Sequence, residues 1–512
     1  MRIHSILLSF FVTACALAQT IEIVPPAALD AGNTGTWKVI VSNPGMEPTR
    51  PREVRLDFTP FEPLDGEVVS VPPGCHVADN GRQTACVPTV LEPGESEVYE
   101  YRFRLTGPYG AVFTYATYGY GIGESYVPDV STTNLVELRR PFPVTNTNDS
   151  GPGSLRQAIL EMNAVCNTDV VCDVLFHVEG PVPVEGWFTI RPLTPLPRVT
   201  ARSFHLDGGT QTAYTGDTNP AGPELMLDGS LVTEWGHGLQ LEGGVFATVT
   251  DLAIGNFGGN GIASTGLWET RIERCHLGMN PSGTLRAPNG LRGAQLVGGT
   301  IVVTDSLLGG NFRSGGWFET STFLDVSRNR FVDNGASGFY VKLVPVLSNH
   351  GGASYNYIAR NAHAGISVDR LSAGRFAAND FEDNLGRAID IGIDGPTLAM
   401  VPGLPGFGGI VGAPVITSAR YDNGDTILEA SLAPLTPHPH LDDLIYFYAS
   451  PHYKDGGELL GYAMRTGSTF TLRVPRDLRG QWVSAATFGM YVYGWDSVTT
   501  ATSEVGELRL VE

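Results

Sequence analysis

The feature that most constrains this chain is an asparagine that recurs every 23 to 31 residues: Asn256, Asn280, Asn311, Asn334, Asn361 and Asn384. Three residues before each stand Ala253, Leu277, Leu308, Phe331, Ile358 and Phe381, all apolar. Five residues before stand Asp251, Cys275, Ser306, Asn329, Asn356 and Asn379, all small or polar. Three columns in fixed order point to a stack of coils, because repeats of this length bury one apolar face only against the next repeat. Parallel strands lie about 4.8 Å apart, so equivalent residues fall directly above one another. Stacked asparagine amides can then bond their neighbours at turns that need unusual backbone angles. The expected fold is all-β, a right-handed parallel β-helix. The long interval from Asn280 to Asn311 implies an inserted loop, for which Asn280-Pro-Ser-Gly-Thr-Leu-Arg-Ala-Pro-Asn-Gly supplies the residues. A leucine-rich repeat of similar period would need leucines where these coils vary.

An open solenoid end exposes core and unpaired strand edge, so it needs a cover. Ser154 followed by Gln157 forms a capping box, which predicts a helix starting at Leu155 with Leu155, Ala158, Ile159 and Met162 on one apolar face. The run Asn148-Asp-Ser-Gly-Pro-Gly-Ser154-Leu-Arg-Gln-Ala-Ile159 resembles the opening motif of bacterial secreted β-helix proteins with pectate-lyase-like coils. The similarity continues through Pro195-Leu-Pro197, Leu206-Asp-Gly-Gly-Thr-Gln211, Gly216-Asp-Thr-Asn219 and Leu227-Asp-Gly-Ser230. It reaches Ala388-Ile-Asp-Ile-Gly-Ile-Asp-Gly395, which looks like the exit from the last coil. Relatives carry an acidic loop after that exit, and here Pro396-Thr-Leu-Ala-Met400 and a Gly/Pro-rich stretch stand instead. The resemblance implies a fold and an extracellular location without fixing an activity.

The coils are expected over residues 144–395, between β-sandwich domains at 19–140 and 413–512, with a linker at 396–412. Thr36 to Ser42 and Val98 to Leu105 alternate as half-buried strands do, and Asn43-Pro-Gly45 and Leu91-Glu-Pro-Gly-Glu-Ser96 are turns. These features resemble the immunoglobulin-like repeat of bacterial surface proteins. Val415 to Thr417, Ile445 to Ser450 and Phe470 to Val474 restart the strand pattern and resemble the immunoglobulin-like module that follows such β-helices. Residues 1–18 read as an export signal, with Arg2, an apolar run from Ile6 to Val12 and Ala16-Leu-Ala18 before Gln19. The alternative is a lipoprotein signal in which Cys15 is lipidated. Export makes Cys75–Cys86 and Cys166–Cys172 the expected disulfides, and leaves Cys275 as a buried apolar side chain.

The net charge of −20 argues against nucleic-acid partners, which need clustered Lys and Arg. After signal removal no segment is long and apolar enough to span a bilayer. There is no nucleotide loop, zinc motif or serine-triad signature, so no cofactor and no metal are expected. Register carried outward places Asp333, Arg360 and Asp383 on successive coils, with the two aspartates about 9.6 Å apart. Such a patch suits a lyase, which needs a cation against a uronate, or an inverting hydrolase with paired carboxylates. The competing reading is a ladder of ion pairs that keeps like charges apart. Arg286 and Arg292 faintly resemble a pectate-lyase arginine motif, and His350 a hydrolase loop. The expected function is that of a secreted or cell-surface, non-enzymatic module, a rigid rod or binder of an extracellular polysaccharide or cell-surface glycan. The alternative is a polysaccharide lyase or glycosidase.

Overall fold

A computed structural model describes residues 3–6, 19–26, 34–60, 65–78, 80–87, 89–106, 110–122, 125–138, 140–167, 171–343, 351–369, 374–391, 414–431, 440–452, 456–464, 469–493, 497–502 and 508–512. Cys15 and the 396–412 linker fall outside these, as do His350 and the expected exit at Asp394. Nearly every described element is a strand. The chain divides into two compact units: one of 1–142 with 164–173, the other of 143–163 with 174–512.

The first unit holds two antiparallel sheets. Thr34–Ser42 alternates buried and half-buried residues along its length, and Glu53–Pro60 does so up to Phe58. That period of two turns Trp37, Val39 and Val41 from one sheet, and Val54, Leu56 and Phe58 from the other, into a single core. Trp37 meets Phe58 and Phe103 edge-on at 5.4 and 5.9 Å, the favoured geometry for aromatic rings. Within the expected export segment, Ile3–Ile6 is described, as a strand antiparallel to Leu135–Leu138. Disulfides join Cys75 to Cys86 and Cys166 to Cys172.

In the second unit the chain alternates between two large sheets, of 12 and 8 strands. Every pairing from Ser203–Asp207 to Ile389–Ile391 in the first sheet is parallel, as is every pairing from Phe188–Ile190 to Asp380–Glu382 in the second. The register of the 8-stranded sheet stacks Leu227, Ile254, Leu277, Leu308, Phe331, Ile358 and Phe381, all buried, into one core column. Ala253 is therefore one residue out of the expected column, and Ile254 takes its place.

Leu155–Val165 is helical, and Leu155, Ala158, Ile159 and Met162 are its buried residues. Only half of the capping box forms. The Gln157 N–H donates to Ser154 Oγ at 3.2 Å, but the Gln157 amide turns to Glu161 at 2.8 Å instead of returning to the cap. The Ser154 N–H is satisfied by Gly151 O at 3.1 Å. Residues 414–512 add two antiparallel sheets around a core of Leu428, Phe447, Phe470 and Val483. These strands lie against the last coil, where Phe381 N donates to Gly457 O at 2.8 Å and Leu459 N to Asp380 Oδ1 at 2.7 Å.

Candidate functional site

The coils turn tightly at two corners, each built from one residue at positive φ followed by a buried polar residue. At the corner after the 8-stranded sheet, Gly310, Asp333, Arg360 and Asp383 have φ of 70, 58, 52 and 51°. Asn311, Asn334, Asn361 and Asn384 follow them. The Nδ2 groups of Asn311, Asn334 and Asn361 each donate to the next asparagine Oδ1, at 3.1, 3.0 and 2.8 Å, and all four donate to a carbonyl of the preceding coil. Each Oδ1 also accepts the backbone N–H of the asparagine before it, at 3.1–3.2 Å. These amides satisfy backbone groups that the turn would otherwise leave buried and unpaired.

This column departs from the expected one at its first two members. Asn289, not Asn280, donates to Asn311 Oδ1 at 3.1 Å. Asn280 instead closes the inserted loop, accepting the N–H groups of Thr284 and Leu285 at 3.0 Å each. Asn256 takes the positive-φ position at 63° and donates to Asp228, so Phe257 stands where the ladder residue belongs. Asparagine suits both positions: it tolerates left-handed backbone and also bonds backbone groups. That double use is why the first coil reads one residue out of step.

The opposite corner carries a second ladder. Its positive-φ residues are Asp251, Arg274, Asp305, Arg328, Tyr355 and Ala378. Behind the later ones run Cys275, Ser306, Asn329, Asn356 and Asn379, again joined coil to coil. Asp251 belongs to the positive-φ column, not to the buried one. Cys275 is fully buried, and burial pushes its thiol up to about 12.

Left-handed backbone on every coil forces the side chains of these corners into register, so charges must alternate. They do. Arg274 grips Asp251, Arg328 grips Asp305 and Arg360 grips Asp333, each through two nitrogens at 2.7–2.9 Å. Hydrogen bonding to its aspartate holds each of the three guanidiniums above its usual pKa. Asp383 stands in the same column one coil beyond Arg360, with its backbone in the same conformation. The structure therefore places Asp333, Arg360 and Asp383 on successive coils, with Arg360 engaged bidentately by Asp333. Tyr357 donates to Glu382 beside them.

The motif residues of the coils also have structural partners. Arg156 donates to Asp149 and to the carbonyls of Thr194 and Pro195 at 2.8 Å, tying the opening motif to the Pro195-Leu-Pro197 run. Thr210 Oγ1 and Gln211 Oε1 accept the N–H groups of Phe176 and Val178 at 2.7 Å. Asp228 caps the short turn after it by accepting Ser230 N at 3.0 Å, and also binds Asn256 and Arg191. Burial pushes the Asp228 carboxyl up, and the hydrogen bonds from Asn256, Ser230 and Arg191 outweigh it, leaving it below its usual pKa.

Arg286 donates to Gly310 O and Asp333 O, clasping the inserted loop to the corner. Arg292 lies 4.6 Å over the Trp317 ring, whose centroid is 3.9 Å from that of Tyr340 on the next coil. This Arg–Trp–Tyr stack had no signal in the sequence, because its members are adjacent only through sheet register. Among the described residues no group of three or more His, Cys, Asp or Glu is placed to hold a metal ion, and no helix is long and apolar enough to cross a membrane.

No family model and no curated protein matches this chain. Among solved structures, ORF18 of Geobacillus virus E2 is 11% identical with a TM-score of 0.29, covering 71% of this chain and 76% of its own. The catalytic unit of a GH87 α-1,3-glucanase from Streptomyces thermodiastaticus is 10% identical with a TM-score of 0.16, covering 80% and 95%. A calcium-binding mutant of Bacteroides uniformis β-glucuronidase 2 is 8% identical with a TM-score of 0.16, covering 96% and 60%. At these TM-scores the likenesses carry no weight for what this chain does.

Proposed function

We propose that this chain is a secreted or cell-surface protein in which a right-handed parallel β-helix stands between immunoglobulin-like β-sandwiches. It acts without catalysis, as a rigid module that presents a glycan-binding face. The paired alternation between two parallel sheets and the continuous amide ladders support the β-helix. Two disulfides favour an oxidising compartment. The observation that carries the non-enzymatic reading is the bidentate grip of Asp333 on Arg360. A lyase needs a free cation against its uronate and a hydrolase needs two uncommitted carboxylates. Here the central cation and one carboxylate neutralise each other, as their counterparts do at the other corner.

The test is incubation of the full chain with polygalacturonate, alginate, xylan and β-glucan, followed by measurement of reducing ends and unsaturated uronides. No release above a heat-inactivated control is expected. Turnover that disappears in Arg360→Ala with the fold retained would establish a lyase or glycosidase instead.

A further inference from the structure

Three exposed aromatic side chains lie on or beside one register column of the long strands of the 12-stranded sheet. Phe246, Glu269, Thr300 and Phe323 are register partners on four successive coils, and Trp268 adjoins Glu269. Their exposures are 48% for Phe246, 76% for Trp268 and 39% for Phe323. Single exposed apolar residues need no explanation, but three gathered about one column of a sheet do. Trp317 is stacked between Arg292 and Tyr340, and Trp37 is sealed in a core. The Phe323 ring lies close over Gly351 of the next coil and still keeps part of its surface exposed.

The ground beside the line is kept low. Gly298 and Gly299 follow Trp268 on the next coil, and a Cβ at either would strike the carbonyl of Leu267 or Trp268. The charges nearby are acidic on balance. Arg271 is held by both Glu269 and Glu273, at 2.8 and 3.2 Å, which leaves one net negative charge. Aromatic faces present a negative quadrupole that attracts the C–H faces of a sugar ring, while Glu269 and Thr300 offer partners for hydroxyl groups. A polyanion would meet these carboxylates, with Arg271 already committed to them.

We propose that the line Phe246–Trp268–Phe323 is the binding site for an uncharged polysaccharide chain, lying along the stack of coils and touching one coil after another. This rests on the glycan-binding reading above and adds its location and ligand class.

The test uses the full-length chain, Trp268→Ala, the double variant Phe246→Ala/Phe323→Ala, and Arg360→Ala as a control. The probes are xyloglucan, galactomannan, a soluble β-1,3-glucan and polygalacturonate, read by affinity electrophoresis and titration calorimetry. At least one of the three neutral probes should retain the wild type. Trp268→Ala should weaken that affinity by about tenfold, the double variant should weaken it as well, and Arg360→Ala should leave it unchanged. Equal binding by the wild type and both aromatic variants would overturn this site while leaving a glycan binder elsewhere on the surface. Retention by polygalacturonate alone would overturn the ligand class, and retention by no probe would overturn both this site and the glycan-binding reading. A sedimentation experiment showing a dimer that Trp268→Ala dissociates would reassign the line to contact between copies.

Discussion

Replacing Asn361 by alanine tests the amide ladder most directly. Asn361 is fully buried. Its Oδ1 accepts the Asn334 N–H at 3.1 Å and Asn334 Nδ2 at 3.0 Å, and its Nδ2 donates to Phe331 O at 2.9 Å and Asn384 Oδ1 at 2.8 Å. Alanine keeps the backbone bond to Asn384 and removes all four of these. The Asn334 N–H then has no partner, and the Asn334 Nδ2 keeps Leu308 O but loses the acceptor of its second hydrogen; at about 1–3 kcal/mol for each buried orphan the total is about 2–6 kcal/mol. Asn361 is not at positive φ, so no backbone strain offsets or adds to this. Because the chain has two compact units, hydrogen exchange around residues 329–336 is a better assay than global unfolding. Exchange at the Asn334 amide should accelerate by about one to four powers of ten. The neighbouring Arg360→Ala removes a half-exposed ion pair worth about 0–1 kcal/mol and should change local exchange by less than about fivefold. The reasoning is refuted if Asn361→Ala accelerates exchange by less than about threefold, or if Arg360→Ala matches it.

Cys275 should resist alkylation by iodoacetamide at mildly alkaline pH in the folded protein and react in denaturant, because burial pushes the thiol up to about 12 and the thiolate is the nucleophile. Peptide mapping that finds it labelled in the folded chain would contradict its place in the ladder. Asp228 is held below its usual pKa, so its contribution is fully present above the unfolded value near 4 and is lost as pH falls through the folded value. The urea midpoint of the wild type should therefore fall more steeply below about pH 4 than that of Asp228→Asn, and equal slopes would count against the assignment.

The coil architecture was legible because its constraints are local. A corner that needs positive φ and then a small buried polar residue leaves Asp333-Asn334, Arg360-Asn361 and Asp383-Asn384 as visible pairs. The helix before the first coil was legible for the same reason, through Ser154 and the spacing of its apolar face. The stacking of Asp333 and Arg360 followed from register alone. Whether the two form a catalytic set or cancel each other depends on side-chain direction, which the repeat does not encode.

The sequence by itself determined the period of the coils, the helix starting at Leu155 and the residue types at each corner, since these follow from backbone geometry within a few residues. Only the tertiary structure decided which asparagine continues the ladder across the inserted loop. Asn280 and Asn289 are equally polar, and the choice lies in which one lands about one strand spacing from Asn311. Tertiary structure likewise separated the stacked Arg292, Trp317 and Tyr340 from the exposed Phe246, Trp268 and Phe323. Exposure is a property of what neighbouring coils cover, and no single coil carries that information.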